Sequence, residues 1–132
     1  MHVTLKTEYA LLALYMIMQH GRDKPVTRRK IAEIRDISEY FLEKVLLSLQ
    51  KGELVRSVRG PGGGFTLTRP PKDISLWDVY VAVDDPDFQV KRCNPKSTMP
   101  CEIWDQCRVK HAWFKFNEVF KDSASAVTLA DI

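Results

Sequence analysis

Leu54-Val-Arg-Ser-Val-Arg-Gly-Pro-Gly-Gly-Gly-Phe-Thr-Leu-Thr68 reads as a β-hairpin. Leu54–Val58 is a β-branched strand, Arg59–Gly64 a turn of glycines, and Phe65–Thr68 a return strand with alternating character. Arg69-Pro-Pro71 ends it. Upstream, Ser38 caps a helix reaching about Lys51, with Phe41, Leu42, Val45, Leu46 and Leu49 along one side and Gly52 closing it. Before that, Thr27 is the N-cap candidate of a helix over about Arg28–Arg35, with Ile31, Ala32 and Ile34 available to a core. Asp36-Ile37 forms a break between the two helices. Helix, short break, helix and hairpin together outline a winged helix-turn-helix.

Working outward, residues 5–20 form a first helix: Leu5, Tyr9, Leu12, Tyr15 (or Met16) and Gln19 follow a three-four spacing, broadened by Leu11, Leu14 and Met18. Ile74–Val83 reads as another short helix. Residues 84–100 carry turn chemistry without periodicity and form a long loop holding Cys93. A last helix is expected from about Cys101 to Lys121, with Trp104, Cys107 (or Arg108), His111 and Phe114 on one stripe and Val109, Trp113, Phe116 and Phe120 on another. So much aromatic surface at the end of a small domain predicts packing against a second copy. The expected fold is mainly α with a small β-hairpin wing. Residues 1–83 would be the winged helix-turn-helix DNA-binding domain, 84–100 a cysteine-bearing loop, and 101–132 a dimerisation helix and C-terminal tail.

The 132 residues suffice for one hydrophobic core. Thirteen Lys/Arg and nine Asp/Glu lie in residues 1–83, a net +4; seven and eight lie in 84–132, a net −1. A basic front half is compatible with a polyanion partner. The longest apolar run, Tyr9–Met18, has ten residues, about half of a bilayer span. No small-x-small cleavage site follows it, so no membrane or secretory segment is expected, and the chain is placed in the cytoplasm. There the three cysteines stay reduced.

A helix fits the major groove with its N-terminal side chains reaching base edges. Ser38, Glu39, Tyr40, Glu43 and Lys44 occupy that part of the third helix. Glu43 could accept from a cytosine amino group, while Ser38 and Lys44 suit phosphate or a purine acceptor. Arg59 and Gly60 at the wing tip suit the minor groove or phosphate, and Lys6, Arg28, Arg29 and Arg56 would add phosphate contacts. The expected partner is a double-stranded DNA operator. The same surface would serve a domain used only for protein contact, and the fall of DNA affinity with salt separates the two. Gly60–Gly64 lacks the Lys-Ser/Thr of a nucleotide loop, and no acid/base or nucleophile constellation is present. Neither an enzyme nor a small-molecule substrate is expected.

Cys93-x7-Cys101-x5-Cys107 gathers three thiols within fifteen residues. Thiolates so grouped bind zinc or an iron–sulfur cluster, although the spacing contains no CxxC pair. Cys107, placed among aromatics, suits equally the role of a small buried hydrophobe. A fourth ligand position stays open: His111, four residues after Cys107, or Glu8, should the first helix of a partner subunit approach.

The start Leu5–Leu11, the block Ile37-Ser-Glu-Tyr-Phe-Leu-Glu43, the Ser57-Val-Arg-Gly-Pro-Gly-Gly63 wing and the ending Val127–Ile132 resemble the family of bacterial winged-helix regulators that includes IscR, NsrR and RirA. The resemblance covers essentially the whole chain. It implies a homodimeric transcription factor whose long C-terminal helix makes the dimer. It also implies an iron–sulfur cluster on Cys93, Cys101 and Cys107 that sets DNA affinity in response to iron, redox state or nitric oxide. The x7 and x5 gaps look more like RirA than IscR. IscR-like members carry a His three residues after the last cysteine, where this chain has Lys110, with His111 one residue late. NsrR-like members use a carboxylate of the partner's first helix at the position of Glu8. The resemblance thus favours Glu8 as fourth ligand and [4Fe-4S] over [2Fe-2S]. CymR-like relatives work without a cluster, and a thiol or small-molecule regulator of the same fold is the alternative.

Overall fold

The structure, a computed structural model, describes residues 4–20, 24–84 and 101–132. Helices α1 (Leu5–Gln19), α2 (Arg28–Arg35) and α3 (Glu39–Lys51) come first, then strands β1 (Val55–Val58) and β2 (Gly64–Leu67). Helix α4 (Leu76–Val83) and a long α5 (Val109–Ala126) complete the framework, with short 3₁₀ turns at Pro71–Asp73 and Leu129–Asp131. The expected mainly helical fold with a β-hairpin wing is the fold observed.

The core lies where α1, α3 and α4 meet. Ala10, Ala13, Leu14 and Ile17 of α1 face Leu42, Val45, Leu46 and Leu49 of α3; Ile31, Leu54, Ile74, Val79 and Leu129 close the edges. Each fully buried leucine contributes about 1.5–3 kcal/mol of transfer free energy. The buried face of α1 differs from the expected stripe. Leu5 is 55% exposed and Tyr9 and Leu12 are half-buried, whereas Thr7, Ala10, Ala13, Leu14, Met16 and Ile17 are buried. Apolar residues nearly encircle this helix, so its periodicity has no phase. The small Ala10 and Ala13 decide the contact, because they let the neighbouring helices come close.

Local chemistry sets the helix starts. Thr27 Oγ1 accepts from Lys30 N at 3.2 Å, and Ser38 Oγ from Phe41 N at 3.5 Å. Between these helices Asp36 takes the left-handed conformation at φ 51° and turns the chain. Ser75 and Asp78 form a reciprocal capping box at α4. At the end of α4 the Asp84 carboxylate accepts from the Thr4 hydroxyl at 2.7 Å and from the Thr7 hydroxyl. An anion beside the first turn of α1 also suits that helix's dipole.

The wing pairs Val55 with Leu67 through Val58 with Gly64, antiparallel. Val26, outside the predicted strands, adds a bridge to it: Val26 N donates to Phe65 O at 3.0 Å and Phe65 N to Val26 O at 2.8 Å. Gly64 has φ +147°, and a Cβ there would lie 2.5 Å from the Val26 carbonyl. Gly64→Ala therefore meets both strain and backbone collision. It is expected to cost about 2–4 kcal/mol, seen as a lower urea midpoint; an unchanged midpoint would refute the role of this close approach.

The last helix departs from expectation at its start. Residues 101–107 form turns, with Trp104 N donating to Cys101 O and Cys107 N to Ile103 O, and α5 begins only at Val109. Lys110 holds the turns in place: its ammonium donates to Trp104 O at 2.6 Å and lies 4.7 Å from the centre of the Trp104 ring. The helix runs on to Ala126 instead of ending near Lys121. The tail then pairs with the entry to α4, Leu76 N donating to Val127 O at 2.8 Å and Leu129 N to Ile74 O at 2.9 Å. Leu129 is fully buried in the core.

Candidate nucleic-acid interface and cysteine segment

Because Leu42, Val45, Leu46 and Leu49 turn inward, Tyr40, Glu43, Lys44 and Leu47 line the outward face of α3. Tyr40 is 69% exposed and Leu47 50%. Leu47 was not among the expected site residues, though its place seven after Tyr40 puts it on that stripe. Ser38 and Glu39 are exposed at the first turn, and the Ser38 hydroxyl is engaged as N-cap acceptor. Two expected DNA contacts meet directly: Arg28 Nη1 lies 3.2 Å from Glu43 Oε1, tying α2 to α3. Glu43 thus has a partner within its own chain. Arg29 pairs with Glu33 at 3.1 Å on the exposed side of α2. Such exposed pairs are weak and give way to a stronger anion.

On the wing, Arg56 is exposed on β1, and Arg59 and Gly60 are exposed at the turn. Gly60 has φ +96°, a conformation open to glycine, and nothing lies within 4 Å of where a Cβ would be. The backbone of the tip can therefore approach a surface closely. Lys6 is exposed on the first turn of α1. The structure joins the α3 stripe and Arg28 into one surface and carries Arg56, Arg59 and Gly60 on the wing.

Cys101 and Cys107 are both half-buried free thiols. Cys93 lies outside the described residues. Cys107 precedes α5 instead of sitting on it, so the helical spacing to His111 does not apply; His111 is exposed near the start of α5. Glu8 is exposed on the first turn of α1. Among the described residues of one copy, no three His, Cys, Asp or Glu side chains come together at metal-binding distance. The two thiols are nonetheless soft donors not engaged in a disulfide, a chemistry that suits an iron–sulfur cluster.

Helix α5 touches its own domain through aromatic contacts with α4. Phe120 meets Trp77 edge-on at 6.1 Å and Tyr80 at 5.7 Å. No residue of α5 is fully buried. Val109, Trp113, Phe116 and Val119 are exposed along it, with Ile103 just before. No helix among the described residues is long and apolar enough to cross a membrane.

The residue pattern of Rrf2, described as an iron-dependent transcriptional regulator, matches residues 3–132. The chain belongs to the Rrf2 family. As an Rrf2 protein it is 34% identical to the helix-turn-helix transcriptional regulator IscR of Yersinia enterocolitica, over all of this chain and 79% of that one. It superposes on the T. potens IscR structure with a TM-score of 0.74, at 30% identity, covering 99% of this chain and 85% of the other. The structure of CymR, the global cysteine regulator of B. subtilis, shares the fold at a TM-score of 0.74 and 22% identity, covering 99% and 95%. This Rrf2 protein is a transcriptional regulator, and DNA binding follows from its family.

Proposed function

We propose that this Rrf2 protein is a cytoplasmic, homodimeric regulator whose affinity for a double-stranded operator is set by an iron–sulfur cluster. Cys93, Cys101 and Cys107 would hold the cluster together with Glu8 of the partner subunit, with [4Fe-4S] favoured over [2Fe-2S]. Bound there, it would supply a group sensitive to iron supply, redox state and nitric oxide. The observation that carries the reading is the pair of half-buried free thiols, Cys101 and Cys107, at the entrance to a helix whose apolar side is exposed.

The chain's own residues would do the coupling. Thr4 just before α1 and Thr7 on it already hold Asp84, the residue where α4 ends. A partner's α1 reaching the cysteine segment through Glu8 would set the separation of the two α3 helices, which must span about one turn of DNA. Releasing that link would shift the population of DNA-competent dimers. Ser38, Glu39, Tyr40, Glu43 and Lys44 would meet bases and backbone in the major groove, and Arg28, Arg56, Arg59 and Gly60 the phosphates and minor groove.

The deciding measurement is an anaerobic visible spectrum of freshly purified protein, with iron and sulfide counted per chain. A blue-end band with about four irons per chain supports the cluster. A colourless protein that cannot be reconstituted overturns it. That outcome favours the alternative, a cluster-free thiol or small-molecule regulator, for which the free thiols of Cys101 and Cys107 are the supporting observation.

The wing gives an independent prediction. Arg59→Ala is expected to weaken DNA binding about tenfold and to reduce the slope of log affinity against log salt by about one, because one phosphate contact is lost. Its visible spectrum should match that of the unaltered protein. A collapsed spectrum would show that wing and cysteine segment are not separate sites.

A further inference from the structure

The outward stripe of α3 carries one arrangement whose consequence is chemical selectivity. Tyr40 and Lys44 are one helical turn apart, and the Lys44 ammonium lies 4.5 Å from the centre of the exposed Tyr40 ring. Glu43, the neighbouring carboxylate, is engaged by Arg28 at 3.2 Å. Lys44 is thus steered by a ring face. A π-face attracts a cation through its quadrupole and leaves N–H donors available for an acceptor in front of the helix. The ring also limits the rotamers of a long stem that would otherwise lose much freedom on binding.

Acceptors differ among bases at the floor of the major groove. Guanine shows two, N7 and O6; adenine pairs N7 with an amino donor that repels an ammonium; thymine shows one, and cytosine a donor. We infer that Lys44 reads a guanine in each operator half-site and that Tyr40 is its positioning residue, holding the ammonium in place through the ring face. The inference rests on the proposed placement of α3 in the major groove. A ring is what it requires, so phenylalanine in place of Tyr40 serves while an aliphatic side chain does not.

The test sorts randomised duplexes by binding to the full-length protein and to Lys44→Ala, Tyr40→Phe and Tyr40→Leu, and compares the base preference at every position. Both side chains are exposed, and unchanged thermal melts verify that the variants fold. The unaltered protein should prefer guanine at one position of each half-site by about fivefold or more. Lys44→Ala should flatten that position alone, Tyr40→Phe should keep it, and Tyr40→Leu should weaken it at least twofold. Replacing that guanine by 7-deazaguanine, which lacks N7, should weaken the unaltered protein and leave Lys44→Ala unaffected. A guanine preference that survives Lys44→Ala overturns the inference. So does an affinity loss equal for all sequences, the signature of a phosphate contact. Tyr40→Leu behaving as the unaltered protein overturns the role of Tyr40. If the unaltered protein retains no sequence, α3 placement itself fails; if it selects sequences without a Lys44-dependent guanine, only this inference fails.

Discussion

Trp113→Glu combined with Val119→Glu is expected to turn the proposed dimer into a monomer and to lower affinity for a two-half-site operator by about a hundredfold or more, while affinity for one half-site barely changes. The reason begins with the composition of α5. A helix of eighteen residues that buries none of them fully has only part of its surface occupied by α4. Trp77 and Tyr80 receive Phe120 from one side. On other positions Trp113 is 39% exposed and Val119 51%, flanked by Val109 and Ile103. Contiguous exposed apolar side chains are costly in a monomer and mark an interface. Two added carboxylates in that interface would be desolvated without partners, which a dimer cannot absorb. Because half-sites gain from being bound together, dissociation removes the effective concentration of the second domain. Sedimentation gives the oligomeric state and fluorescence anisotropy the affinities. A dimer that persists in the double variant would exclude this face as the interface.

The parts of the fold that were legible share one property: a local chemical reason that no distant contact could override. Thr27 and Ser38 cap because side-chain oxygens meet nearby N–H groups, and the hairpin turns because its glycines permit it. What escaped the sequence depended on tertiary partners. α1 is apolar around most of its circumference, so only the close approach permitted by Ala10 and Ala13 selects its buried side. Val26 looks like a loop residue until Phe65 arrives to bond it on both sides. The spacing of Trp104 to the aromatic residues of α5 extends the helical pattern back through residues 101–107, while Lys110 and the turn carbonyls hold that segment out of the helix. In the candidate interface the Arg28–Glu43 pair joins two expected contacts whose sequence distance gives no sign that they meet. Nothing in the pattern separated Leu47 from a core leucine except its phase on α3.

Cys101→Ala should leave less than one iron per chain after anaerobic reconstitution, against about four in the unaltered protein, and should change operator affinity by about tenfold. A half-buried thiol replaced by a methyl group costs the fold little, because Cys101 lies in a turn outside the core and helix α5 begins eight residues later. Loss of iron would therefore report ligation and not unfolding, and an unchanged thermal melt of the metal-free forms checks this. Glu8→Ala and His111→Ala then separate the two candidates for the fourth ligand. Glu8 is exposed on α1 and available to another copy, and its removal is expected to make the cluster labile. His111 lies on α5 beyond the turn that carries Cys107, and its removal is expected to leave the spectrum alone. Colour and operator affinity both intact in Cys101→Ala would end the three-cysteine reading. Affinity changed in a protein that was colourless throughout would instead make the thiols themselves the sensor.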